Sequence, residues 1–317
     1  MAMVAATDWC LKNKENGKMA DPNRLRIAVQ KSGRLADPSL SMLEKCGIRF
    51  EKSKSQLFCQ SKNFAMDLLM LRDDDIPELV NDGACELGIV GLNVFEEKML
   101  EQQARGKPFK LEKIVDLGFG FCRLSLAVPK GGPISAIEDL QGKKIATSYP
   151  ETLQAWLDKN KIKATVVTLN GAIEIAPRLE IADAICDLVS TGETLSANGL
   201  QELEVIAKSQ SVLIRKSGTA AAPKEALIAR LLSRVNGVLK ATDSKYIMLH
   251  CSVDVLEKVK KALPGVESPT VLPLQGIPDK VAVHAVCQEG FFWETMEDLK
   301  AAGASSVLVL PIEKMLD

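Results

Sequence analysis

The sequence predicts an α/β chain in three parts: two strand–helix units in tandem, then a C-terminal βαββαβ module. Three observations carry this. Short apolar runs alternate with helix-spaced segments from Leu25 onward, a rhythm that builds mostly parallel sheets with helices on both faces. The same rhythm restarts at Leu124 and runs to Val189. From about residue 228 the order of elements changes to strand–helix–strand–strand–helix–strand, the ferredoxin-like pattern.

In chain order, Leu25–Val29 is an apolar, partly β-branched strand that ends in the turn Gln30-Lys31-Ser32-Gly33-Arg34, and a helix follows through Leu43. Met66–Leu71 is a strand stopped by Asp73-Asp74-Asp75; Asp75 is placed to cap the next helix, with Pro77 in its first turn. Leu87–Val90 is a buried strand, and the basic stretch around Arg105–Lys113 reads as a surface connection. In the second unit Leu124–Val128, Lys144–Thr147, Ala164–Leu169 and Ala184–Val189 read as strands, with helices at Glu151–Lys159 and Ile173–Leu179. In the third, the strands are Tyr246–Leu249, Thr270–Leu274, Val281–Val286 and Ser306–Leu310, the helices Val253–Leu263 and Gly290–Ala302, the second capped by Gly303. Two α/β units in tandem imply two lobes with a ligand cleft between them.

The 317 residues suffice for two or three domains without disulfide or metal staples. Net charge is −1, which argues against a dedicated nucleic-acid binder. No apolar run is long enough to span a bilayer, so the expectation is no membrane and no nucleic-acid partner. The eight cysteines form no Cys-x-x-Cys pair and sit mostly in apolar runs; they read as buried thiols of a reducing, cytoplasmic compartment. The N-terminus lacks a basic segment followed by a long apolar one, so it reads as no secretory signal. Residues 1–22 read as a disordered extension, and Met19 as an alternative start. The only two histidines are His250 and His284. Any catalytic site before them works without imidazole, which excludes Ser-His-Asp triads and histidine-rich zinc sites there.

The chemistry-bearing segment is Asp187-Leu188-Val189-Ser190-Thr191-Gly192-Glu193-Thr194. A buried strand delivers the chain to a turn with a glycine and hydroxyls, which aims backbone N–H groups at one point, a geometry suited to phosphate. Asp183 and Asp187 stand before the turn, where carboxylates would hold ribose hydroxyls while the loop holds a 5′-phosphate. The alternative is an ordinary strand–helix turn with capping hydroxyls.

The longer string from Gly171-Ala172-Ile173-Glu174 through Asp183 and Asp187 to Leu195 resembles the signature of ATP phosphoribosyltransferases, the first enzymes of histidine biosynthesis. Similar matches run through Ile27–Leu35, Leu71–Pro77, Leu87–Val94 and Ile145–Pro150, so that the resemblance covers residues 24 to 317. Ser244–Met248 and Val309–Met315 resemble the long form of the family, which needs no histidyl-tRNA-synthetase-like partner. Asn93 stands where many relatives carry aspartate, and residues 1–22 have no counterpart.

This resemblance implies two periplasmic-binding-protein-like lobes and a ferredoxin-like regulatory domain of the ACT type. Lobe I would take residues 23–123 and 206–227, lobe II 124–205, and the regulatory domain 228–317. It implies transfer of phosphoribosyl from phosphoribosyl pyrophosphate to ATP with Mg²⁺, feedback inhibition by histidine, and a homo-oligomer passing between dimer and hexamer. Asp183, Asp187 and Glu174 would be catalytic, although Glu174 equally suits a helix cap. Ser190, Thr191, Gly192, Glu193 and Thr194 would form the phosphoribosyl pyrophosphate loop. Lys31, Gly33, Arg34, Arg72, Gly91 and Asn93 would meet nucleotide or phosphate, against the alternative that the cations are solvated surface charge. Asp73-Asp74-Asp75 would hold Mg²⁺ or, more economically, cap a helix, and Tyr149 would stack or pack near the cleft. Ser268, Thr270, Ala285 and Val286, with Val266 and Glu267 nearby, would form the histidine site; His250 reads as structural. A non-catalytic two-lobed binding protein and a nucleobase phosphoribosyltransferase are the rival readings.

Overall fold

The computed structural model describes residues 21, 23–50, 57–218, 220–263, 268–288 and 292–316. The chain divides into two compact units, one running to Ile228 and the other comprising Ala229–Asp317 with Lys45–Gly47. No helix among the described residues is long and apolar enough to cross a membrane.

In the first unit, β1 (Leu25–Gln30) leads to α1 (Ala36–Lys45), then β2 (Phe58–Gln60) and β3 (Met66–Leu71). A 3-10 turn at Asp73–Asp75 opens α2 (Ile76–Asn81), followed by β4 (Leu87–Gly91), α3 (Leu92–Ala104) and β5 (Leu111–Asp116). The chain then enters β6 (Cys122–Pro129), β7 (Lys144–Thr147), α4 (Pro150–Lys159), β8 (Thr165–Thr168), β9 (Ala184–Val189), α5 (Glu193–Ala197) and β10 (Leu200–Ser209). It returns through Gln210 to β11 (Ser211–Lys216), and α6 (Ala222–Thr242) then carries the chain out of the first unit, which ends at Ile228.

These strands form two sheets, ordered β2-β3-β1-β4-β11-β5 in lobe I and β10-β6-β9-β7-β8 in lobe II. β1 is parallel to β3 and β4, and β7 to β8 and β9. Every other pairing is antiparallel, including those of β6, β10 and β11. The sheets are therefore mixed rather than mostly parallel as expected, because the chain crosses between lobes twice and each crossing strand runs against its neighbours. The crossings are residues 117–121 and Gln210, and they are tied together: Leu117 N–H donates to Ser211 O and Ser211 N–H to Phe119 O, both at 2.9 Å. The return falls at Gln210, not after residue 205, because β10 stays paired with β6 to Ser209.

Three further expectations are corrected. The connection at 105–113 gives way at Leu111 to β5, whose outward residues are charged, which hid the strand. The helix expected over 173–179 is only the turn Ile173–Ile175; Pro177 cannot supply the N–H that a longer helix would use. Asp75 precedes α2 in a helical conformation and makes no side-chain cap.

Core positions follow the apolar runs. All of β4 is buried, and Leu124, Leu126, Ile145, Leu153, Leu157, Ala184 and Cys186 form one side of lobe II. Six of the cysteines, Cys46, Cys59, Cys85, Cys186, Cys251 and Cys287, are buried, as expected, with Cys122 half-buried.

The second unit holds β12 (Ser244–Ser252), α7 (Leu256–Ala262), β13 (Thr270–Pro273), β14 (Lys280–Gln288), α8 (Phe292–Ala301) and β15 (Ser305–Pro311). The sheet order β13-β14-β12-β15 with all neighbours antiparallel is ferredoxin-like. Ile247, Leu249, Val281, Val283 and Ala285 pack with Val259 of α7 and Leu299 of α8.

Candidate functional site

Lobe I presents three loops from the C-terminal ends of its parallel strands β1, β3 and β4, where open α/β sheets bind ligands. Lys31 N–H donates to Leu71 O at 2.7 Å, joining the first two loops. Beneath the first, Gln30 Oε1 accepts from Leu35 N at 2.8 Å. Lys31 and Gly33 are exposed on that loop, and Arg34 is half-buried, donating from Nη1 to Gly120 O on the crossing. Arg72 is exposed on the second loop. Beside it, Asp73 Oδ1 is shut off from solvent and has no hydrogen-bond partner. Burial and then Asp74 push the Asp73 carboxyl up to about 6, against the opposing pull of Arg34 and the Gly91 N–H.

Asn93 follows at the start of α3, and its side chain is spent within the protein. Its Nδ2 donates to Tyr149 OH at 2.9 Å, and its Oδ1 accepts from Ser209 Oγ at 2.7 Å. Gly91 gives this side chain room, since a Cβ there would lie 2.5 Å from Asn93 Oδ1. Asn93 thus ties lobe I to lobe II, with Gly91 leaving room for its side chain. Tyr149, expected to stack or pack near the cleft, is buried for the most part and bonded across the lobes. Burial raises its hydroxyl pKa first; Asn93 opposes, and Asp74, Asp73 and Asp187 raise it further. Carboxylates from both lobes therefore act electrostatically on one tyrosine.

In lobe II, Asp187 lies on β9 opposite Ser125. Burial pushes its carboxyl above the usual range, Leu188 N–H opposes, and the nearby Glu174 charge adds to the rise. The Ser190–Thr194 loop follows, with Ser190, Thr191, Glu193 and Thr194 exposed. Gly192 has φ +85°, ψ 1° and starts α5; Thr191 Oγ1 accepts from Glu193 N at 3.4 Å. Arg123, which the sequence reading missed, holds this loop from β6: Nη1 donates to Ser190 O at 3.0 Å, and Nε to Glu202 at 2.7 Å.

Asp183 is separated from this group. Its Oδ2 accepts from Lys144 N at 2.8 Å and its own N–H donates to Lys144 O at 2.8 Å, pinning the entry of β9 to the entry of β7. At about 3.3 Å per residue a strand places Asp183 roughly 13 Å from Asp187, away from the loop. A concavity of about 440 Å³ beside it is lined by Pro129, Ile134, Lys144, Pro177 and Asp183.

In the second unit the expected effector residues are split between sheet faces. Ala285 is buried under the helices. Thr270 lies opposite His284, and Val286 opposite Tyr246, on the other face. There Tyr246 OH and His284 Nδ1 are 2.6 Å apart, and Leu272, Leu308 and Leu310 are exposed. Ser268 is exposed just before β13; Val266 and Glu267 lie outside the described residues. His250 is half-buried, and its backbone O accepts from Ser305 Oγ at 3.3 Å.

Two α/β lobes joined at Tyr149, a glycine turn on one of them and a ferredoxin-like module after them define a two-lobed α/β chain with a C-terminal ferredoxin-like domain. The family model described as ATP phosphoribosyltransferase matches residues 72–237, and the model of that family's C-terminal domain matches residues 241–314. The chain belongs to the ATP phosphoribosyltransferase family, pentosyltransferases of histidine biosynthesis. Among solved structures it is similar to the ATP phosphoribosyl transferase (HisG:HisZ) complex from Thermotoga maritima, with 25% identity and TM-score 0.54, over 67% of this chain and 98% of that one. The alkanesulfonate-binding protein SsuA from Xanthomonas axonopodis pv. citri is 18% identical, with TM-score 0.45, over 70% of this chain and 76% of that one.

Proposed function

We propose that the chain transfers the phosphoribosyl group of phosphoribosyl pyrophosphate to N1 of ATP, releasing pyrophosphate, as the committing step of histidine biosynthesis in the cytoplasm. The observation that carries this is the join between the lobes at Tyr149, whose hydroxyl takes the Asn93 Nδ2 hydrogen bond from lobe I and feels the charges of Asp74, Asp73 and Asp187, with the Ser190–Thr194 loop following β9. The loop takes the 5′-phosphate, and Asp187 with Glu174 takes the ribose hydroxyls. Lys31, Arg34 and Arg72 face the pyrophosphate and triphosphate, where guanidinium geometry suits phosphate. N1 attacks C1 of the ribose as the C1–oxygen bond to pyrophosphate breaks. The protein's task is to position two anions and stabilise the departing charge rather than supply a strong base. That agrees with a site built without histidine.

The family implies Mg²⁺. Among the described residues no three His, Cys, Asp or Glu side chains gather as a metal cage, so the cation would ride on substrate phosphates with one or two carboxylates as partners. Asp187 and Glu174, whose charges oppose each other, fit that role. Bound there, Mg²⁺ supplies charge neutralisation. Pyrophosphate release in the presence of ATP, and none with free adenine, is the expected result; release with adenine instead would identify a nucleobase enzyme.

Free histidine is proposed as the effector of the second unit, acting in a homo-oligomer that passes between dimer and hexamer. The open face carrying Thr270, His284, Tyr246 and Val286 is the reading's support; Ala285, on the covered face, takes no part. A ligand shifts activity only through its differential affinity for two states. Thr270→Ala should raise the histidine concentration for half-inhibition about 3- to 10-fold, the scale of one hydrogen bond, with uninhibited turnover nearly unchanged. Inhibition curves of wild type and variant that superimpose, with histidine competing against ATP, would move the effector into the catalytic cleft.

A further inference from the structure

The first turn of α4 is satisfied from the other lobe. A helix start leaves its first N–H groups without intrahelical acceptors. Here Pro150 has no N–H, and Leu153 N–H donates to Tyr149 O at 3.0 Å. Tyr149, in the capping position, offers no side-chain cap. The remaining two donors, Glu151 N and Thr152 N, both go to Glu97 of α3 in lobe I, at 2.9 and 2.8 Å. Thr152 Oγ1 adds a third bond to the same carboxylate at 2.6 Å.

One helical turn before Glu97, on the same side of α3, stands Asn93, which holds Tyr149 OH and Ser209 Oγ. Two residues spaced i, i+4 on one helix therefore grip both the start of α4 and the end of β10. Tyr149 is the residue immediately before α4, and its hydroxyl is held from lobe I by Asn93 Nδ2. Fixing the first turn of α4 fixes Tyr149.

We propose that Glu97 is a positioning residue for the transfer: by capping α4 across the lobes it sets the separation between the nucleotide side of the cleft and the phosphoribosyl side. This rests on the transferase reading above. Glu97 touches no reacting atom. Phosphoribosyl pyrophosphate takes its 5′-phosphate and ribose contacts from lobe II whether or not the cap is made, so its binding depends on Glu97 less than the transfer does. The rate of the transfer, which needs both substrates at one distance, is sensitive to it.

The test compares wild type, Glu97→Gln and Glu97→Ala in the full chain. Hydrogen exchange reads the Glu151 and Thr152 amides, titration reads the Kd for phosphoribosyl pyrophosphate, and pyrophosphate release reads kcat. In Glu97→Ala the two amides should exchange about 10-fold faster or more, as a local opening. Kd should stay within about 2-fold while kcat falls roughly 10- to 100-fold, the cost of reactants displaced by about an ångström. Glu97→Gln keeps the length and one acceptor, so it should fall between, and it stands in if the alanine variant does not fold. Unchanged amide protection overturns the proposal. So does wild-type kcat in a variant whose amides are deprotected, and so does a rise in Kd that accounts for the whole loss of activity. Absence of pyrophosphate release by wild type would sink the transferase reading itself; equal release by wild type and both variants would sink only the positioning role.

Discussion

Gly192→Val should lower turnover by about 10²-fold or more, the scale of misplaced binding groups, while the fold survives. The reason is conformational rather than steric. Gly192 sits at φ +85°, and the nearest atom to a Cβ built there is Val189 Cγ1 at 3.9 Å. A left-handed residue with a side chain costs about 1–2 kcal/mol, and more for a β-branched one. The five-residue α5 and its exposed loop can rearrange to escape that cost, taking the phosphate cradle with them. Thermal melting should fall by only a few degrees, since about 1 kcal/mol shifts the midpoint of a domain this size by roughly 2–4 °C. The KM for phosphoribosyl pyrophosphate should rise steeply and that for ATP little. Near-normal affinity for phosphoribosyl pyrophosphate in this variant would refute the loop assignment.

Asp73→Asn should make the protein more stable and less active. The Asp73 carboxyl is raised from 3.8 to about 6 by burial and Asp74. The folded state therefore holds its proton more tightly than the unfolded chain does. The stability this gives is fully present below pH 3.8 and is lost as pH rises through about 6. Above that, a buried anion with one unpaired oxygen remains. Asparagine keeps the volume and can still accept from Gly91 N–H, so it should add roughly 1–3 kcal/mol at pH 8 and almost nothing at pH 4. Loss of a cleft carboxylate should at the same time lower kcat/KM for ATP by about 10-fold or more. A gain in stability paired with a loss in activity is the mark of a group retained for function. Melting curves of both proteins that run parallel from pH 4 to 8 would contradict the buried, strained state of Asp73.

Much of this was legible in the sequence because it is local. β1, β3, β4, β7 and β9 are continuous apolar runs, and the Ser190–Thr194 turn follows directly from one of them. What escaped depends on distant pairing. Asn93 and Tyr149 are 56 residues apart, and Glu97 and Thr152 are 55 apart; nothing near Glu97 distinguishes it from a solvated helix acid. Asp183 misled for the opposite reason. It is close to Asp187 in sequence, but an extended strand carries it to the far end of the sheet, where it meets Lys144 instead. Ala285 and Val286 are neighbours that a strand points to opposite faces, so they could not both belong to one surface site.

The two crossings between the lobes are bonded to each other through Leu117, Phe119 and Ser211. A door hung on two adjacent pins has one way to swing. Twisting or sliding of one lobe past the other would have to break those bonds, whereas opening about the line through them would not. Such an opening would still have to break the Asn93 and Glu97 bonds that join the lobes at Tyr149 and the start of α4.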